Sequence, residues 1–353
     1  MPIPYAWLIG ILLLAVVLAA KGLLGSSAAR SPAYQTDKFE LSAGPCTPDG
    51  YPATILEGRF SNSLGGSFPV PYGHTLDGNW GRSGIGWAVG DALQPVPDSL
   101  ELRWFSYTED KFYEGHFRLP QQHLYELLKQ GNWNAEAKKQ ETYTTLTVCV
   151  VPTGAVFVWL GGTNKVLVGR YQAHEIQYDF ATFIPMAKRA EVVQEGRASL
   201  PAHVKQEIAT GTISAKQWDA YLKTYPWHVA FSQPVTLTDF AIRYVNAENT
   251  RAPLTADMSA YAQTLLAPSP KPVPSLLNLY VAGAYGRKRL LKIARFDEHE
   301  LRAAFQALAT KYPTEVITLF VDTDERMSKV SLSLRAGGQI ISLPKSPVLP
   351  FDL

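Results

Sequence analysis

Apolar and polar positions alternate with a period of two over much of the chain, and this predicts strands more often than helices. Residues 54–60 are strand-like between turn signals. In residues 98–119, Leu100, Leu102 and Trp104 share one phase, a polar Thr108-Glu109-Asp110 break follows, and residues 112–119 are rich in aromatics. That pattern predicts a β-hairpin. A helix should come next: Pro120 suits a first turn, Leu124, Leu127 and Leu128 form an i, i+3, i+4 stripe, and Gly131 stands where a helix would stop. A second hairpin is expected over residues 143–151 and 155–160, turning at Pro152-Thr153-Gly154.

The same order recurs towards the C-terminus. Strands are expected at 276–281 and 289–296 around a turn at 283–287, then a helix at 297–310 and strands at 315–321 and 330–334. A slide of 177 residues lays Leu100 on Leu277, Leu102 on Leu279, Leu119 on Phe296 and Leu124 on Leu301 without a gap. The sequence thus admits an internal duplication of a ββαββ unit, although any two such units can be aligned on apolar positions. The fold class expected is α+β, mostly antiparallel β, in two sheet-plus-helix halves behind an N-terminal apolar helix.

Between the halves, residues 187–221 are richer in charge and helix formers. Ser214 is placed to cap a helix carrying Trp218, Tyr221 and Leu222 on one face, ended by Pro226. Pro268, Pro270, Pro272 and Pro274 exclude a helix or a central strand and predict a stiff, extended lead into the second half. The expected division is a membrane anchor or signal segment at 1–29, a β-rich domain at 30–185, a helical connector at 186–230 and an α+β domain at 231–353.

The first 20 residues hold no charged side chain, and as a helix they would span about 30 Å, the depth of a bilayer core. The expectation is an uncleaved anchor with the body exported. Lys21 and Arg30 on its C-terminal flank argue weakly for the opposite orientation, and the small residues after it resemble a cleavage site. No cysteine follows the apolar run, so lipid attachment there is not expected.

Composition narrows the function classes. With 46% apolar and 18% charged residues the chain can bury a core, and 33 basic against 31 acidic residues offer no general pull on nucleic acid. Two cysteines, Cys46 and Cys149, can pair once in an oxidising compartment or remain buried thiols, and they cannot build a thiolate metal site.

Motifs for catalysis are missing. Gly81-Arg82-Ser83-Gly84-Ile85 fails as a nucleophile elbow in its last position, and the run from Gly84 to Gly90 is one residue too long for a dinucleotide fingerprint. The seven histidines include no pair at i, i+2 or i, i+4. Acidic pairs such as Glu109-Asp110 and Asp297-Glu298 fall at turns or helix starts, where dipole and solvent account for them. No enzyme activity, metal or cofactor is expected. Among eight tryptophans, Trp104, Trp133, Trp159, Trp218 and Trp227 fall on predicted elements and read as core. Trp80 and Trp87 lie in a Gly-rich segment beside Arg82. Core packing is one reading of these rings; the other is a protein-binding hot spot made of Trp80, Arg82 and Trp87.

The run from Pro97 to Pro120, with Trp104-Phe-Ser-Tyr and Phe112-Tyr-Glu-Gly115, resembles the bacterial DUF2931 family of envelope proteins. Val151-Pro-Thr-Gly154 with Trp159, and Trp218-Asp-Ala-Tyr221 with Pro226-Trp227, do so as well. The resemblance covers residues 80–230 and departs at the N-terminus, where the family's usual lipobox cysteine is missing. It implies an envelope location: a bacterial inner-membrane protein whose body faces the periplasm. It also suggests a protein partner, in one form a type VI secreted lipase effector blocked by an immunity protein. The alternative is an envelope maintenance or assembly factor binding lipid or another envelope protein.

Overall fold

The computed structural model describes residues 31–87, 91–283 and 286–353. Strand is the commonest element of the described chain, paired mostly antiparallel and laid out chiefly in three large sheets with helices packed on them. The first sheet runs in the order His174–Ile176, Lys111–Arg118, Ser99–Ser106, Ala53–Ser61 and Ser67–Pro69, with Thr75–Leu76 also on Ala53–Ser61. The central sheet has nine strands. Ser42–Cys46, Thr145–Val151, Ala155–Gly161 and Lys165–Gln172 form one end; Thr236–Tyr244, Pro274–Ala282, Lys288–Ile293 and Leu349–Asp352 form the other, and the two-residue strand Asn249–Thr250 joins them. The third sheet runs Ser269–Pro272, Thr224–Phe231, Ile317–Thr323, Val330–Ala336 and Gln339–Ser342.

The strand Ala155–Gly161 explains why the sheets stack. All seven of its residues are buried. Val156, Val158 and Leu160 face one apolar cluster together with Leu100, Leu102 and Trp104 of the first sheet, while Ala155, Phe157 and Trp159 face another with Trp218 and Tyr221. A strand has two faces, and when both carry large apolar groups each must be covered. Fully burying one such side chain contributes roughly 1.5–3 kcal/mol, so leaving either face open would be expensive. The helix Gln121–Gln130 closes the first cluster with Leu124 and Leu128, starting after Pro120 and stopping at Gly131 with φ of +57°.

The recurrence seen in the sequence extends well beyond four strands and a helix. In the first half, Ser42–Cys46 lies parallel to Thr145–Val151, and Ala53–Ser61 lies antiparallel to Ser99–Ser106. In the second, Thr224–Phe231 lies parallel to Ile317–Thr323, and Thr236–Tyr244 antiparallel to Pro274–Ala282. Each hairpin leads into a helix, Gln121–Gln130 or Glu298–Lys311, and then into three strands of a second sheet; even the last strands correspond, His174–Ile176 and Leu349–Asp352 flanking the equivalent hairpins. Each half is a two-sheet sandwich of one topology. The central sheet is the second sheet of one sandwich continued by the first sheet of the other.

Two expectations differ from what is found. The helical stretch between the halves comprises Arg189–Ala198, Ala202–Thr210 and Lys216–Tyr221, and ends there; the strand Thr224–Phe231 begins inside the segment expected to be connector. Pro226 sits in that strand opposite Pro270 and one residue before the ladder to Ile317–Thr323 begins, and Ser269–Pro272 forms an edge strand. Among the predicted core tryptophans, Trp104, Trp159, Trp218 and Trp227 are buried, while Trp133 is half-exposed. The apolar anchor expected at 1–29 lies outside the described residues, and among the described helices none is long and apolar enough to cross a membrane.

Candidate functional site

The two sandwiches meet at one point of the central sheet, where the register pairs Lys165 with Asn249. Around it lies a cleft of about 570 Å³ whose walls come from both halves. Its floor is aromatic. Trp80 stands edge-on to Phe157 and Trp159, each centroid 5.0 Å away, and 6.1 Å from Tyr221. The indole Nε1–H groups of Trp80 and Trp159 donate to the successive carbonyls of Val245 and Asn246, each at 2.9 Å. Rings from the first half thereby fix a turn of the second. Asn164, almost fully buried, completes the junction: its Nδ2 donates to the Ala252 carbonyl (2.9 Å), and its Oδ1 accepts from the Arg251 and Ala252 amides (2.8 and 3.0 Å).

Charge at the cleft is unbalanced. Arg82, Lys165, Arg243 and Arg295 line it against Asp49 and Glu298. Both carboxylates have partners: Asp49 accepts from the Asn79 amide, and Glu298 pairs with Arg302 at 3.2 Å within its own helix. Among the described residues, the guanidinium groups of Arg82, Arg243 and Arg295 make no ion pair or hydrogen bond. Lys165 Nζ donates to the Gly81 carbonyl. Burial holds the Lys165 pKa below the usual lysine value, Arg82 and Arg251 push it the same way, and the two cysteines oppose them. Burial also pushes Tyr221 up to about 12, with the neighbouring Glu298 adding to it and Gln217 opposing.

The sequence candidates separate in space. Trp80 and Arg82 reach the cleft, Trp80 half-buried with its N–H committed inward and Arg82 exposed. Trp87 packs instead on exposed Tyr72 (4.8 Å) and on His74 (6.4 Å), forming a separate surface patch. Cys46 and Cys149 stand opposite one another on neighbouring parallel strands, and both are buried free thiols. Burial pushes the Cys149 thiol well up, and contact with Cys46 adds to that.

Other polar candidates are engaged structurally. Glu109 accepts from Tyr113 Oη and from the Thr153 amide, both at 2.9 Å, tying one hairpin to the next. Asp110 holds Arg189 at 2.7 Å, and His228 spans the Leu266 carbonyl and Thr318 Oγ1, each at 3.0 Å. A larger open hollow of about 930 Å³ lies on the outer side of the first sandwich beside His116 and His123, where exposed His116 stands 3.6 Å from Glu101. Among the described residues, no group of three or more His, Cys, Asp or Glu side chains is placed to hold a metal ion.

Lys165 and Arg243 escaped the sequence reading. A lysine opening a strand after Gly161-Gly162 reads as a solvent edge, and an arginine near the end of Thr236–Tyr244 reads as the polar phase of an amphipathic strand. Their shared environment depends on the junction between halves, which no local pattern announces.

Residues 28–215 match the sequence model of a family described as a protein of unknown function, DUF2931. No curated protein and no solved structure matches the chain. The matched span supplies Trp80, Arg82 and Lys165 to the cleft; Trp218, Arg243 and Arg295 come from beyond it.

Proposed function

The chain belongs to the DUF2931 family, and from that premise we propose that it is a protein-binding protein that acts by occupying a partner, without turnover. The observation that carries this reading is the surface of the segment from Asp77 to Trp87. Trp87 leans on exposed Tyr72 and on His74, exposed Arg82 follows the half-buried anchor Trp80, and the segment is thereby held against the core. Aromatic rings and arginine on a rigid support are the composition from which binding hot spots are made. The support matters because a pre-ordered segment pays little entropy on docking.

In its narrower form, which rests on the family resemblance stated above, the partner is an envelope-attacking lipase effector whose active site is covered by this face. The protein would then be held at a bacterial inner membrane with its body in the periplasm.

Capture from envelope extracts tests the reading. Replacing Trp87, Tyr72 and Arg82 together by Ala should weaken partner capture at least tenfold with little change in melting temperature, whereas Trp80→Ala should act by loosening the fold. Singly changing each histidine to Gln should leave protection standing. Loss of function on removing one exposed histidine or carboxylate, with capture intact, would replace this reading by an enzymatic one. A reporter fused after Leu353 and active only in the cytoplasm would overturn export.

A further inference from the structure

The cleft between the sandwiches has features that the protein-binding surface does not use. Its volume of about 570 Å³ is within the range of small-molecule sites, and junctions between domains are where such sites concentrate. Four cationic side chains face it against two carboxylates that are already partnered. Lys165 is the most constrained of the four. Its ammonium group is largely withdrawn from water, has the Gly81 carbonyl as its one hydrogen-bond partner among the described residues, and is disfavoured by burial and by Arg82 and Arg251, with Cys46 and Cys149 opposing them. A buried charge of this kind is costly unless it has a counterion, and among the described residues none is supplied.

We infer that the cleft is a binding site for a phosphate monoester, its phosphoryl oxygens held by Lys165, Arg243, Arg82 and Arg295 and its organic part laid on Trp80 and Tyr221. The excess of positive charge favours this group over a carboxylate, because a phosphate monoester carries nearly two negative charges at neutral pH and presents three acceptor oxygens to share among the cations. Arginine forks suit phosphate oxygens geometrically, and the aromatic floor gives the ester's carbon skeleton a dry surface. Two sources share this chemistry, a soluble phosphorylated metabolite and the headgroup of phosphatidic acid. The inference does not depend on the protein-binding reading, because the deciding residues, Lys165 and Arg243, lie apart from the Trp87 patch.

The test is calorimetric titration of the detergent-solubilised full chain with phenyl phosphate, inorganic phosphate, benzoate and a short-chain, water-soluble phosphatidic acid. Phenyl phosphate should bind at least tenfold more tightly than benzoate or inorganic phosphate. The double variant Arg243→Gln, Arg295→Gln, which alters no packed apolar group, should weaken it at least tenfold without a change in melting temperature, and Lys165→Met should do the same or more. Tighter binding of the phosphatidic acid than of phenyl phosphate assigns the lipid headgroup, and the reverse order assigns the soluble ester. No saturable binding of either ester, or binding untouched by the double variant, overturns the inference. A double variant, Trp87→Ala with Tyr72→Ala, touches no residue that lines the cleft and reports on protein capture separately, so each reading can fail without the other.

Discussion

Gly81 shows how little room the cleft leaves at the level of a single residue. It takes φ of +68°, its carbonyl accepts from Lys165, and a Cβ built on it would lie 2.1 Å from the Ala247 Cβ. Alanine here meets both a left-handed backbone and a neighbour that is itself left-handed at φ of +66° and cannot swing away. Gly81→Ala should cost on the order of 2–4 kcal/mol in denaturant unfolding, while Gly84→Ala, with nothing within 4 Å, should be silent. Lys271 makes a different residue-scale prediction. Nearly buried against Trp227, with Nζ donating to Ser269 Oγ at 2.6 Å, it has its pKa drawn down to about 8 by burial. The unfolded chain therefore holds more protons than the folded one between about pH 8 and the ordinary lysine value of 10.5. Stability contributed at this site rises with pH across that window and is at its lower level below it. Measured against Lys271→Met, the wild-type protein should gain on the order of 2 kcal/mol between pH 7.5 and pH 10. A difference that stays flat with pH would show that the ammonium is hydrated.

At the scale of one element, the helix Glu298–Lys311 illustrates which parts of a helix the chain writes locally. Asp297 caps it, its Oδ1 accepting from the Glu300 amide at 2.8 Å, and Leu301, Phe305 and Leu308 bury one face. The spacing Asp-x-x-Glu suggests a reciprocal capping box. The structure spends Glu300 elsewhere: it accepts from the Lys345 amide and from Ser346 Oγ, and Ser346 Oγ in turn accepts from the Asp297 amide at 3.1 Å. The cap thus pins the segment before Leu349–Asp352, the outermost strand of the central sheet. Asp297→Ala should lower stability by about 1 kcal/mol and speed amide exchange in the first helical turn. Ser346→Ala should speed exchange in Leu349–Asp352 as well, which a purely local cap would not do.

For the whole molecule, the junction decides whether the sandwiches behave as one unit. The central sheet is continuous there by a single register pair, Lys165 with Asn249, so most of the coupling falls to the Asn164 clamp and to the indoles of Trp80 and Trp159. Wild-type protein should melt in one calorimetric transition. Asn164→Ala strands the Ala252 carbonyl and the Arg251 and Ala252 amides, which should cost on the order of 2–4 kcal/mol and split the melt into two transitions. One unsplit transition in the variant would place the coupling in the apolar contacts instead. Alternation, leucine spacing and turn glycines act over a few residues and leave a local trace, so the hairpins and the two helices that follow them are legible along the chain. Their repetition at an interval of 177 residues is admitted by the sequence and established only by the strand pairing. The sequence showed the Trp80, Arg82 and Trp87 segment as unusual without showing that Trp80 points inward and Trp87 outward. That one sheet serves both sandwiches, and that Lys165 and Arg243 share a cleft, is settled by long-range packing. Those outcomes depend on which buried face covers which, and contacts between residues far apart in the chain impose no period on the residues that make them.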